Sequence, residues 1–258
     1  MQQKTRKKRY GKYILRWSIT LLILVMLVFG SICGLRLRHF YRAIHGEIPA
    51  ESPDLSKFPV KGIDISRYQG DIDWKAVKNY GIDGAMIRAG IRGYGSGEIV
   101  ADTNFDTNMK NALAEGLKTG AYFFSEAITV EEAKEEAEFL LNAVKPYKVK
   151  LPLVLDLEMI DGDDGRNEKL SKEEMTKVAL AFMKEIADAG YQAMLYGNIR
   201  TISEMVDLTQ FEDYGLWFAY YSNEIYIPYK VSMWQYASDG KVDGISTDCD
   251  VNLMFTQE

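Results

Sequence analysis

Residues 151–158 read LPLVLDLE, and the reading of this stretch decides the fold. Its apolar positions run on without the polar alternation of a half-exposed strand. It therefore reads as a strand buried on both faces, the usual condition of a parallel sheet. Seven more runs of this kind occur along the chain: VKGIDI (60–65), GAMIRAG (84–90), GAYFF (120–124), YQAMLY (191–196), GLWFAYY (215–221), VSMWQYA (231–237) and CDVNLMF (249–255). Helical patterns separate the first five strands. Asp73 can cap a helix over 74–80, and Asn104–Glu115 places apolar residues at helical spacing. Thr129 with Glu132, and Ser171 with Glu174, make capping-box pairs ahead of longer periodic segments. Such alternation predicts βαβ units. Eight strands in roughly 200 residues predict an irregular, TIM-like α/β barrel with little room for helices among the last three strands, and its chemistry belongs at the C-terminal strand ends.

Ahead of the barrel, residues 17–35 (WSITLLILVMLVFGSICGL) carry no charge and approach the ~20 residues of a membrane-spanning helix. Lys4, Arg6, Lys7, Lys8, Arg9, Lys12 and Arg16 precede this run, and Arg36, Arg38 and Arg42 follow it. The larger cluster predicts a cytoplasmic N-terminus and an extracellular body on a single-pass anchor in the cell membrane. Secretion after cleavage near Ser31-Ile32-Cys33 is the alternative. The expected layout is a basic tail (1–16), an anchor (17–35), an extended spacer (36–59) and the barrel (60–258). Ten of the 31 basic residues lie in residues 1–46, which hold no acid; the other 21 face 37 acids, a net −16 for the rest. That acidic body excludes nucleic acid as a partner. Cys33 and Cys249 fall in different parts of this layout, and no disulfide is expected.

The available chemistry is narrowed by what is missing. Both histidines, His39 and His45, flank the anchor, so the barrel has no imidazole for a Ser-His-Asp or Cys-His site, or for zinc. Carboxylates remain. Asp64 ends the first run, Asp156 and Glu158 end the fourth, and Asp250 opens the last. Residues two apart on a strand point the same way, so Asp156 and Glu158 share a face. All four can meet at one mouth, where mutual repulsion keeps one of them protonated to higher pH. A protonated carboxyl beside ionised ones suits glycosidic cleavage. Structural roles stay open for single residues: Asp64 can satisfy loop amides, and Asp250 can cap a turn. Gly93–Gly97 lacks the Lys and the adjoining helix of a phosphate cradle. The acidic loop 161–168 fails the EF-hand spacing, and Cys249 reads as a packed side chain.

Several motifs in order, from Lys61 to Phe255, resemble the glycoside hydrolase family 25 lysozymes, the Chalaropsis-type muramidases: KGIDISRYQGDIDWKAVKNYGID, GAMIRAG, DTNFDTNMKNALAEGLKTGAYFFS, LPLVLDLE, LWFAYY and MWQYASDGKVDGISTDCDVNL. The resemblance implies a (β/α)5β3 barrel that hydrolyses the β-1,4 bond between N-acetylmuramic acid and N-acetylglucosamine. It implies Glu158 as the catalytic acid, Asp156 as its partner, Asp64 and Asp250 as the remaining catalytic acids, and no metal or organic cofactor. Retention with help from the substrate's acetamido group, and inversion through an activated water, both fit this set. Sugar faces stack on aromatic rings, and Tyr122, Phe124, Tyr196, Trp217, Tyr220, Trp234 and Tyr236 lie near strand ends. Half of these should face the helices; Tyr122, Tyr196, Trp217 and Trp234 are the candidates for the groove, with Gln69 as a polar neighbour. Gln235 is a further neighbour, and Arg88 is expected to pair with an acid inside the barrel. Expected partners are peptidoglycan strands and, through the anchor, the membrane; the chain is expected to be a monomer. The rival readings are a non-catalytic wall-binding tether and a carboxylate glycosidase acting on another N-acetylated polymer.

Overall fold

A computed structural model describes Gly30 and residues 60–160, 165–222, 225, 227 and 229–254. Apart from Gly30, the expected anchor and spacer lie outside these residues, as do residues 161–164 of the acidic loop. Among the described residues, no helix is long and apolar enough to cross a membrane.

All eight expected strands form. β1 (Val60–Ile65), β2 (Gly84–Arg92), β4 (Lys118–Phe124), β5 (Leu153–Asp156), β6 (Ala193–Gly197), β7 (Gly215–Ala219) and β8 (Met233–Gly240) run parallel around a ring. β9 (Cys249–Met254) closes the ring between β8 and β1, antiparallel to both. This reversal departs from the expected parallel sheet, and it has a consequence for the site. An acid at the start of a parallel strand would sit at the N-terminal mouth. Because β9 runs backwards, Asp250 at its start lies opposite Asp64 near the end of β1.

A short ninth strand, β3 (Ile99–Ala101), pairs antiparallel with β2 at the barrel's margin. The glycine-rich segment 93–97 is the turn of this hairpin. Gly97 donates its N–H to the Gly93 carbonyl at 2.7 Å and adopts φ +71°, a left-handed geometry that favours glycine.

Four α-helices occupy the first connections: α1 (Trp74–Tyr80), α2 (Phe105–Ala114), α3 (Val130–Val144) and α4 (Lys172–Asp188). Asp73 Oδ1 accepts the Ala76 N–H at 3.0 Å, as its capping position predicts. At α4 the capping box is complete. At α3 only half of it forms: Thr129 Oγ1 accepts from Glu132 N–H, while the Glu132 carboxyl bonds the Ile128 N–H and Arg166. The fifth connection, from β6 to β7, carries a π-helical turn (Thr201–Met205) and a 3-10 turn (Leu208–Phe211) where a regular barrel has a helix.

The barrel interior is filled from below by Met86, Val154, Met194, Met233 and Met254, with Tyr122, Tyr196 and Trp217 in the same cluster. Glycines make room for the long methionines. A Cβ on Gly62 would stand 2.5 Å from Met254 Cε, and one on Gly120 only 2.6 Å from the Pro152 carbonyl oxygen. Interiors of this density leave no slack for an added methyl. The interior is thus a solid floor, and any cleft must lie above it.

Candidate active site

Alternation along each strand decides what reaches that cleft. On β5, Val154 joins the interior cluster, so Asp156 points inward as well. The ladder continues one residue past the strand, where Leu157 N–H donates to the Tyr196 carbonyl at 3.1 Å. The same parity then carries Glu158 to the rim, while Leu155 and Leu157 are buried on the outer side. Asp64, Asp156, Glu158 and Asp250 all line one cleft of about 330 Å3, together with Ser66, Tyr68, Gln69, Arg88, Tyr122, Phe124, Tyr196, Trp217, Tyr221 and Gln235. A larger hollow of about 880 Å3 opens at the N-terminal ends of β6–β8, away from all four acids.

Asp64 is 6% exposed and held by two amides. Asn252 Nδ2 donates to its Oδ2 at 2.8 Å, and Gln235 Nε2 donates to the same oxygen at 3.0 Å. Neighbours fix the orientation of both amides. The Trp217 indole N–H donates to Asn252 Oδ1 at 2.8 Å, and an indole can only donate. The hydroxyls of Tyr196 and Tyr221 donate to Gln235 Oε1 at 2.9 and 3.1 Å. Each amide therefore has to present its N–H groups to Asp64, which suits an ionised carboxylate. The alternative of Asp64 serving loop amides does not hold, since its partners are side chains from β8 and β9.

Four carboxyls in one cleft cannot all ionise near neutral pH. Burial pushes Asp64 up to about 6, against the hydrogen bonds from Asn252, Gln235 and Asp250 that favour its charge. Asp250 is pushed up to about 9 by burial, then by the charge of Asp64, to which it also hydrogen-bonds. Burial, followed by the charges of Glu158 and Asp64, holds Asp156 well above the carboxylate range. Glu158 rises to about 7 through burial and the charge of Asp64, while a hydrogen bond with Asp156 works the other way. The acids thus form two proton-sharing pairs, Asp64–Asp250 and Asp156–Glu158. Of the second pair, Glu158 is the more open to the cleft.

The other expected residues divide. Tyr122, Tyr196 and Trp217 pack edge to face as a floor, with Trp217 between the two tyrosines. Gln69 reaches the cleft wall, but its Oε1 accepts the Ser66 N–H at 2.9 Å in a capping box of its own. Arg88 pairs with an acid as expected, Asp102, at 2.8 Å. Trp234 is a correction. Its parity is opposite to that of Met233 and Gln235, so the ring is buried outside the barrel, with its indole N–H on the Tyr220 carbonyl at 2.7 Å. Tyr221, Tyr68, Asn252 and Asp102 were missed. Tyr221 shares the parity of Trp217 and could have been found from it; Asn252 lies two residues after Asp250 on the same strand. Tyr68 lies three residues past the end of the first strand in ISRYQG, where a barrel loop meets the mouth. Asp102 carries no local signal, because its partner Arg88 lies across a hairpin.

Comparisons with known proteins bear on the family and the fold. Residues 63–245 match the profile of glycosyl hydrolases family 25. The YegX protein of Escherichia coli K12 is 28% identical over 225 residues, covering 83% of this chain and 76% of that protein. An autolytic lysozyme of Clostridium acetobutylicum is 25% identical over 194 residues, 75% of this chain; the chain spans 55% of that lysozyme's length. A family 25 glycosyl hydrolase from Bacillus anthracis, of known structure, superposes with a TM-score of 0.69 at 24% identity, covering 82% of this chain and 94% of its own. This chain belongs to glycosyl hydrolases family 25 and is a glycoside hydrolase of the lysozyme type.

Proposed function

We propose that the barrel cuts peptidoglycan at the β-1,4 bond between N-acetylmuramic acid and N-acetylglucosamine, with Glu158 as proton donor. The observation that supports this most is the pairing of Glu158, pushed up to about 7 at the cleft rim, with the more deeply buried Asp156. A general acid needs a proton available near the working pH, and this pair keeps one. In the retaining route favoured here, the substrate's 2-acetamido oxygen attacks C1 while the C1–O bond breaks. The departing oxygen takes the proton of Glu158, and an oxazolinium ion forms with its N–H directed at Asp156. Water then adds to C1, gives a proton to Glu158, and reopens the ring. Ionised Asp64, with Asp250, supplies negative potential for the cationic C1. Tyr122 and Tyr196 provide the surface beneath the sugar, and the buried Trp217 supports both rings from below. We further infer that residues 17–35 anchor the chain in the membrane and hold the barrel on its outer side, on the strength of the uncharged run and its basic flank.

The test is to incubate the full-length chain with purified peptidoglycan and identify the new reducing ends by mass spectrometry, beside Glu158→Gln. Products ending in N-acetylmuramic acid, nearly all lost in the variant, are expected. Binding to the wall without cutting by either protein would favour a tethering module. Proton NMR of the first anomer formed checks the route, and an inverted product refutes the acetamido mechanism.

A further inference from the structure

The rim beyond β1 carries a feature that the hydrolytic chemistry leaves unused. Tyr68 is 66% exposed, the most open large apolar side chain among the described residues, yet its turn is pinned. Ser66 Oγ accepts the Tyr68 N–H at 3.3 Å, Gln69 Oε1 accepts the Ser66 N–H, and Asp102 Oδ2 accepts the Arg67 N–H at 3.0 Å. A ring on a fixed turn loses little freedom when a ligand covers it. The Arg67 guanidinium lies 5.2 Å from the ring centroid and donates to the Tyr68 hydroxyl at 3.5 Å; Arg88 lies 5.0 Å from the same ring. Asp102 answers the charge of Arg88. No carboxylate among the described residues comes within ion-pairing distance of Arg67. Hydrogen bonding to Arg67, with the charges of Arg67 and Arg88, holds the Tyr68 phenol below its ordinary range. In a strongly acidic body, this stretch of rim carries one arginine whose charge no described carboxylate pairs, on the edge of the cleft that holds the four acids.

We propose that Arg67 and Tyr68 form a subsite for a carboxylate carried on the lactyl arm of the muramyl residue, the ring covering the sugar's apolar face and the guanidinium pairing with the carboxylate. The proposal rests on the peptidoglycan reading above. It also supplies discrimination: chitin has a similar scissile bond but no lactyl arm, so it offers Arg67 nothing to pair with. In intact wall the lactyl carboxyl is an amide and the charge belongs to the stem peptide. In strands stripped by an amidase, the lactyl carboxylate itself is free.

The test uses the full-length chain with Arg67→Ala and Arg67→Lys on purified wall, on the same wall with its carboxyls converted to amides, and on stripped strands. At low salt, Arg67→Ala should raise KM on native wall roughly threefold to tenfold, with kcat within about twofold, because an exposed guanidinium–carboxylate pair contributes binding but no chemistry. Arg67→Lys should recover part of the loss, and added salt should erase it. On amidated wall the variants should match the unsubstituted chain. Loss on stripped strands assigns the lactyl carboxylate, and its absence there assigns the stem peptide. Equal losses on native and amidated wall, or no loss on native wall, amidated wall and stripped strands alike, overturn the subsite. Co-sedimentation of Glu158→Gln with the wall, with and without Arg67→Ala, reads binding independently of cutting. If no form cuts but this binding difference persists, the hydrolytic reading fails and the subsite stands.

Discussion

Replacing Glu158 by Gln should make the protein more stable at alkaline pH while abolishing its activity. In the folded chain the Glu158 carboxyl titrates at about 7 instead of its ordinary 4.5. The folded state therefore keeps this proton over a range in which the unfolded chain has released it. The stability tied to that proton is complete below pH 4.5, falls as pH rises through the interval, and is gone above about 7. A shift of this size corresponds to about 3 kcal/mol at ~1.4 kcal/mol per unit. Glu158 stands at the rim and is partly screened by water, which reduces the figure to roughly 1.5–2 kcal/mol. Glutamine keeps the shape and cannot ionise, so urea unfolding should show a gain of that size at pH 8.5 and little difference at pH 4. The thermal midpoint should rise by about 3–8 °C at the higher pH. An equal effect at both pH values, or a loss at pH 8.5, would falsify the argument that the site strains its carboxyls.

Four other outcomes follow from the same geometry. The alkaline limb of kcat/KM should lie near pH 7 and move to lower pH in Asp64→Asn, which removes the neighbouring charge that raises Glu158; an unmoved limb in a pH–rate profile contradicts that electrostatic link. Trp217→Phe frees the Asn252 amide to turn away from Asp64, and should cost about 1–3 kcal/mol in chemical denaturation as well as activity. Arg92→Met leaves the fully buried Glu136 without its 2.7 Å partner, at a cost of about 3–5 kcal/mol; Glu136→Gln in the same background should recover much of it, and a full cost in the double variant would refute the ion-pair account. Gly120→Ala drives a methyl into the Pro152 carbonyl and should lower stability by about 1–3 kcal/mol by calorimetry.

Strands and helices were legible because each is written locally, by an apolar run or by a cap three residues ahead of its partner. Asp156 and Glu158 were legible as a pair for the same reason, since two-residue parity is a property of one strand. That parity, applied with equal care to 231–237, would have placed Gln235 inside and Trp234 outside. Glu136 shows where pattern reading fails. It interrupts an otherwise apolar stripe of α3 (Ala133, Ala137, Leu140, Val144), and only Arg92, 44 residues away, and Ser125 make its burial tolerable. Burial holds this acid up near 7 as well, so a raised carboxyl alone does not mark the cleft.

The sequence by itself determined the element order, the barrel class and the residue types able to do chemistry, because those depend on periodicity and on which side chains are present. Only the tertiary structure decided the direction of β9, and with it the meeting of Asp250 and Asp64. It also decided which amides face Asp64, and that Tyr68 stands exposed beside an unanswered arginine. These are contacts between residues far apart in the chain. A carboxyl's proton and an arginine's partner are set by burial and by charges in space, and no local pattern encodes either.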